Sequence, residues 1–146
     1  MSRSHGFTLI EAMIVVTVLG ILAAIIFPSY SAYVLRANRA AGKAAVMRIA
    51  GQQESLYTDR KAYAASLADL SPGWVATMHL RRDGNFQNGD TAEAIYRLTS
   101  TPTASGFTIR AEPIHTQARD IECGTLIYDS TGLKTTSTLR ADCWSR

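Results

Sequence analysis

Residues 7–27 constrain this chain more than any other feature: FTLIEAMIVVTVLGILAAIIF carries a single charge, Glu11. As a helix the run is about 32 Å long, enough to cross a hydrocarbon core of roughly 30 Å. In a chain of 146 residues, such a segment leaves room for one modest domain after it. Three readings compete. A secretory signal has a shorter apolar region, about 7–15 residues, followed by small residues at the cut; Ser29 and Ser31 would supply them. A plain membrane anchor accounts for the length and leaves Glu11 unexplained. A carboxylate near mid-bilayer costs on the order of 2.5–3.5 kcal/mol, which marks such a group as functional. A position near enough to the helix start to reach interfacial water would ease that cost.

Orientation is argued from two sides. Arg3 precedes the run, while Arg36, Arg39 and Lys43 follow it, so a positive-inside count puts the C-terminal side in the cytoplasm. Against this, Cys123 and Cys143 are an even pair outside the span, which fits a disulfide in an oxidising compartment. Two unpaired buried thiols are the alternative. The cysteines carry the argument, and the C-terminal region is expected outside the cytoplasm. No second cysteine pair or histidine cluster completes a metal site.

Helical patterning continues past Pro28. Tyr30, Tyr33, Val34, Ala37, Ala41, Ala44, Ala45, Ile49 and Leu56 recur at spacings of three and four, an amphipathic stripe. Arg36, Arg39, Lys43 and Arg48 fill the presumed wet face. Gly42 and Gly51 each weaken a helix by about 1 kcal/mol relative to alanine. The pattern predicts one helix from Phe7 to about Tyr57, kinked at Pro28 and about 76 Å long, beyond what a small domain can cover.

After a loop with a short helical turn at ASLADL, the text becomes strand-like. Trp74–Leu80 is one strand candidate, and Arg81–Ala92 carries the turn pairs Asp83-Gly84 and Asn88-Gly89. Glu93–Thr101 and Gly106–Glu112 alternate around PTAS as a hairpin; CGTLIYD and LKTTS around STG suggest another. The expected fold class is α+β: a long N-terminal helix packed on an antiparallel sheet of about four strands. His5, His79 and His115 lie far apart in sequence and read as surface side chains. No phosphate loop, nucleophile motif or metal motif is present, so the chain reads as no enzyme and no cofactor is implied. A charge of +3 with 18% charged residues is too weak for a nucleic-acid footprint by itself.

The stretch GFTLIEAMIVVTVLGILAAIIFPSY, Gly6–Tyr30, resembles the class III signal of type IV prepilins and of type II secretion pseudopilins. The resemblance implies a basic leader, residues 1–6, cut between Gly6 and Phe7 by a membrane prepilin peptidase that also N-methylates Phe7. It implies that residues 7–27 stay in the mature protein, in the membrane and then in a filament core. Residues 28–57 would be the amphipathic helix of a head, and 58–146 its loop, sheet and disulfide region. Glu11 becomes the fifth mature residue, able to pair with the Phe7 amine of a neighbouring subunit or its own. Gly20 and Pro28 match the helix-weakening positions of the family. Cys123 and Cys143 match its C-terminal staple.

QQESLYTDRKAYAASLADL, FTIRAEP, CGTLIYDSTG and the closing DCW resemble a branch that includes minor pilins and a DNA-uptake pilin, while HLRRDGNFQNGDTAEA is longer than the loop expected there. The implied function is a structural subunit, a minor pilin, of a type IV pilus serving attachment, twitching motility or DNA uptake. Its implied partners are other pilin subunits, the prepilin peptidase and an inner-membrane assembly platform. The head would face the periplasm before assembly and the cell surface afterwards. The alternatives are a pseudopilin of a type II secretion system, or a pilus-displayed DNA receptor. For the last, Arg81, Arg82, Arg119, Lys134 and Arg140 are the candidate phosphate contacts, with Asp83, Asp90, Asp120 and Asp142 nearby to balance them.

Overall fold

The computed structural model describes residues 7–140 and 142–145, and for Phe27, Pro28 and Ser29 it describes the backbone alone. One helix, α1, runs from Leu9 to Arg60. It is continuous through Pro28, and it ends three residues beyond the expected Tyr57. The chain divides into two units, Met1–Val34 and Leu35–Arg146.

In the first unit every large apolar side chain from Phe7 to Ile26 is 48–79% exposed. The sequence there is apolar on all sides of the helix, so no single face can be buried by a sheet. Such a helix belongs in lipid or among other helices.

The second unit folds the rest of α1 against a sheet. Strands β1 (Thr77–Arg81), β2 (Phe86–Asn88), β3 (Ala94–Pro102), β4 (Phe107–Pro113), β5 (Leu126–Asp129) and β6 (Lys134–Thr136) follow, then a short helix α2 (Asp142–Ser145). Short 3-10 turns span Leu67–Asp69 and His115–Arg119. The sheet order is β2-β1-β3-β4-β5-β6, with each neighbouring pair antiparallel. Six strands replace the expected four or so. Strand β2 lies in the stretch read as turns and is a three-residue edge strand too short to show alternation, while β6 is the LKTTS arm of the second expected hairpin. The first strand begins at Thr77 rather than Trp74.

Alternation governs the two central strands. Tyr96, Leu98 and Ser100 of β3 and Phe107, Ile109 and Ala111 of β4 are buried, while Arg97, Thr99 and Arg110 face away. The buried rows meet Ala45, Val46, Ile49 and Ala50 of α1, spaced as one helical face. Each buried Leu, Ile or Phe there contributes about 1.5–3 kcal/mol relative to exposure. Gln53 continues this face: its Oε1 accepts the Ala64 N–H (2.9 Å) and its Nε2 donates to Ser100 Oγ (3.1 Å). Of the expected stripe, Ala45 and Ile49 are buried, whereas Tyr30 and Tyr33 are 66% and 65% exposed.

The C-terminal region is closed by a Cys123–Cys143 disulfide, with Cα atoms 5.7 Å apart and a sequence separation of 20. A loop of that length removes about 3 kcal/mol of unfolded-state entropy in the chain-entropy account.

Two glycines of α1 differ in what surrounds them. A Cβ on Gly42 would meet the Tyr96 ring at 2.7 Å, whereas one on Gly51 would meet nothing within 4 Å. Gly42→Ala is expected to destabilise the head by about 1–2 kcal/mol, overpacking outweighing the gain in helix propensity, while Gly51→Ala stabilises it by up to about 1 kcal/mol. Urea denaturation of the two full-length variants in detergent reads the opposite signs; a stabilising Gly42→Ala would refute the tight helix–sheet seam.

Candidate assembly helix and nucleic-acid interface

The start of α1 is shaped by Thr8, whose Oγ1 accepts the Glu11 N–H (3.3 Å) while its carbonyl accepts the Ala12 N–H (3.2 Å). The first bond caps an amide donor that a helix start leaves unpaired, and the second is the first backbone bond of the helix. Glu11 lies in the first turn and is exposed, where the helix dipole favours an anion. No cation pairs with it among the described residues. Phe7 is 79% exposed. Gly20 has open space around it, so nothing among the described residues requires a glycine there. The proposed cut after Gly6, and the rest of the leader, lie outside the described residues, as does the side chain of Pro28.

The head is organised around a buried polar network that sequence patterning does not reveal. Arg39, read as part of the wet face, is 5% exposed. Its Nη2 and Nε donate to Asp120 at 2.7 and 3.0 Å, a two-point ion pair. The carboxylate holds the Arg39 guanidinium above its ordinary pKa, with desolvation opposing. Asp120 is therefore a buried partner of Arg39 and not a surface counter-charge. Beside it Gln117, fully buried, accepts from Asn38 Nδ2 at 3.0 Å. Its own Nε2 lies 3.1–3.2 Å from the Tyr96 hydroxyl, the Leu35 carbonyl and Asp120 Oδ2. These bonds pin the segment His115–Asp120 to α1.

The five candidate cations occupy different settings. Arg81, at the end of β1, is bound to Glu93 at 2.6 Å, with Asp83 3.9 Å from its Nε. Arg82, in the β1–β2 turn where Gly84 adopts φ +83°, donates to Thr116 Oγ1 at 3.0 Å. That bond ties the turn to the His115–Arg119 segment, and the His115–Asp90 contact of 2.7 Å ties the β2–β3 connection to the same segment. Arg119 is exposed, and its guanidinium has no protein acceptor among the described residues. Arg140 is held by Asp142 through Nε and Nη2 at 3.2 and 3.0 Å. Lys134 is on β6, the edge strand opposite β2, with its ammonium 5.9 Å from the Trp144 ring centroid.

Thr138 Oγ1 donates to the Glu122 carbonyl at 2.8 Å, which joins the C-terminal turn to the residues following Arg119. The Arg82 and Thr138 bonds thus attach to the two ends of one segment, Thr116 to Glu122, that carries Arg119, while Arg140 is also bonded to Thr136 of β6, the strand of Lys134. Two cations on the outer sheet face were missed: Arg97, paired with Glu112 at 3.0 Å, and exposed Arg110, between Thr99 and Ile127 in the register. Their signal was available, since both take the outward phase of alternating strands.

His79 departs from its surface reading. It lies between Gln87 and Arg97 and is 6% exposed, with Nδ1 buried and without a partner. Burial pushes its imidazole below the ordinary value, Asp90 opposing and Arg97 and His115 adding to the shift. It is neutral near pH 7 and adds no charge to this face.

Comparison with known proteins matches these features. Residues 28–127 fit the family model described as type IV minor pilin ComP, DNA uptake sequence receptor, and residues 1–27 fit the prokaryotic N-terminal methylation motif. A fimbrial protein of Moraxella nonliquefaciens is 30% identical over 94% of this chain and 92% of its own. Fimbrial protein Q of Moraxella bovis is 31% identical over 84% and 83%. A type IV pilin structure from Shewanella oneidensis, 23% identical, aligns with a TM-score of 0.53 over 77% of this chain and 99% of its own, and so supports the fold.

Removing one partner of the buried pair leaves an unpaired charge. Asp120→Ala is expected to destabilise the head by about 3–5 kcal/mol, while the double change Arg39→Met/Asp120→Leu costs far less or nothing. Denaturant midpoints of the full-length variants in detergent give the comparison; equal losses in both would contradict the assigned pairing.

Proposed function

Because this chain belongs to the type IV pilins, in the branch of minor pilins that includes the DNA uptake sequence receptor, we propose that it is a pilus subunit whose head binds duplex DNA for uptake. The observation that carries this reading is the family match over residues 28–127, which spans the Arg82–Thr116 junction and Arg119. Arg82, Arg119 and Arg140 are the proposed phosphate contacts. Arg81 serves less well, because Glu93 already engages it.

In this reading the leader is cut after Gly6 and the Phe7 amine is methylated, consistent with the motif matched over residues 1–27. The subunit waits in the inner membrane with its head in the periplasm, a side supported by the disulfide in the head. On assembly, residues 7–27 leave lipid for a bundle of neighbouring helices, and Glu11 pairs with the Phe7 amine of an adjacent subunit. An unpaired carboxylate in an apolar bundle is penalised, so only registered subunits are stable there. Gly20 and Pro28 give the segment between them a weakened helix that can adjust to its neighbours.

Two measurements test the two halves. Glu11→Gln keeps a hydrogen-bonding side chain but removes the charge; sheared pili should then contain at least about tenfold less of the subunit, as expected for loss of roughly 1.4 kcal/mol or more. Wild-type incorporation by the variant would reject the ion pair. For the head, the full-length protein in detergent should bind duplex DNA with an affinity that falls as salt rises, at a log–log slope of about 3 for the three proposed phosphate contacts. Arg82→Ala, Arg119→Ala and Arg140→Ala should each lower the log–log salt slope by about 1. No binding at low salt would reject the DNA reading and leave the pilus subunit intact.

A further inference from the structure

Among the described residues, the two most exposed large apolar side chains are neither in the long helix nor near it in sequence. They are Leu139, 86% exposed, and Ile121, 81% exposed. Neither belongs to the core cluster. Both stand on backbone that is held firmly. The Thr138 hydroxyl, which donates to the Glu122 carbonyl at 2.8 Å, also lies 3.4 Å from the Cys123 carbonyl. Leu139 follows Thr138 and Ile121 precedes Glu122, so the two apolar residues flank one hydrogen bond. The Cys123–Cys143 disulfide closes the loop that carries Leu139, with Ile121 two residues before it. Within the turn, the Leu139 N–H donates to the Thr136 carbonyl (3.0 Å) and the Arg140 N–H to Thr136 Oγ1 (3.1 Å).

Leu139 adopts φ +59°, a left-handed conformation that glycine or asparagine takes with less strain. A leucine there has no folding rationale: it strains the turn and exposes its side chain. Strain and exposure kept together at one residue are a sign of function. The flanking charges indicate the partner. Arg119 lies two residues before Ile121 and Arg140 directly follows Leu139, two cations beside the exposed Glu122 carboxylate, which also bears on Arg140. Arg119 has no protein acceptor among the described residues, and Asp142 occupies Nε and Nη2 of Arg140, leaving Nη1 for another anion.

We infer that Ile121 and Leu139 form an apolar wedge that enters a base step of duplex DNA while Arg119 and Arg140 hold the phosphates on either side. The inference rests on the DNA reading above and adds how the duplex is engaged. Leucine and isoleucine serve this purpose in proteins that unstack a step and bend the helix, and the sequence dependence of unstacking then contributes specificity. Removing the wedge should reduce discrimination between sequences without changing the number of phosphates contacted.

The test uses the full-length protein in detergent. Duplexes of about 25 base pairs are selected from a random-sequence pool, then rebuilt with 2-aminopurine at successive steps to report unstacking. Wild type and Leu139→Met should raise fluorescence at one step. Ile121→Ser and Leu139→Gly should abolish that rise and weaken binding of the selected duplex on the order of tenfold, as expected from losing the burial of one large aliphatic side chain. Their salt slope should match wild type. Leu139→Gly suits the positive φ, so its thermal midpoint should equal or exceed wild type, which separates loss of the wedge from loss of the fold. Binding without unstacking, or unstacking that persists in the Ile121→Ser/Leu139→Gly double variant, overturns the wedge and leaves the DNA reading standing. Absence of binding by wild type overturns both. Normal DNA binding combined with loss of the double variant from sheared pili would assign the patch to a neighbouring subunit's head and overturn the wedge.

Discussion

The chain depends on one helix that must suit two surroundings. Over its first half it is apolar on every side, and the isolated subunit leaves those side chains largely exposed. No face could have been made polar without disabling either insertion into lipid or packing among other helices, because both surround the helix completely. Over its second half the same helix buries one narrow face on a sheet and is wet elsewhere. That face is built from small and β-branched residues, Ala45, Val46, Ile49 and Ala50, which let the backbone come close to the strands. Glu11 is tolerated in the apolar half because it sits in the first turn, where free amide donors favour a carboxylate.

Close approach at the head has a further consequence. Gly42 lets α1 rest on the Tyr96 ring, and the hydroxyl of that ring meets Gln117, which also contacts Asn38 and Asp120. Arg39 and Asp120 complete the group. An apolar cluster of similar volume would pack as well and could be more stable, so the network is best understood as fixing position. It sets where the segment after β4 lies against the helix, and that segment carries Arg119 and leads into Ile121. The geometry of the outer surface is thus set by polar contacts buried beneath it.

This arrangement explains which parts of the structure could be read from the chain. The apolar run was legible because one property repeats over twenty-one residues. The β3–β4 hairpin was legible because nine and seven residues give alternation time to show. Strand β2 was not, since three residues between turns carry no period and are defined only by their neighbours, whereas β6 was legible through the STG turn that pairs it with β5. Arg39 misled for a physical reason. A cation on an alanine-rich helix is normally solvated, and its partner lies 81 residues away in a segment with no regular pattern. His79 misled likewise, because the outward phase of an edge-proximal strand is usually wet, and here it is covered. The candidate arginines were identified individually, but that Arg82 meets Thr116, and that the C-terminal turn meets Glu122, is tertiary information.

The distribution of charge bears on the proposed binding of DNA by the head. The whole chain carries only +3, and Arg81, Arg97 and Arg140 each lie against a carboxylate. Pairing fixes a guanidinium in orientation while cancelling most of its long-range field, so counterion release gives this surface little indiscriminate affinity. A strongly basic head would hold any duplex equally and gain nothing from contacts to the bases. With the general electrostatic attraction kept low, discrimination in the proposed DNA binding has to come from short-range features: an oriented arginine, one such as Arg119 without a protein acceptor among the described residues, and the proposed apolar wedge. The disulfide and the Thr136–Arg140 turn supply that rigidity, so the element that closes the fold is also the one that presents the most exposed apolar residues.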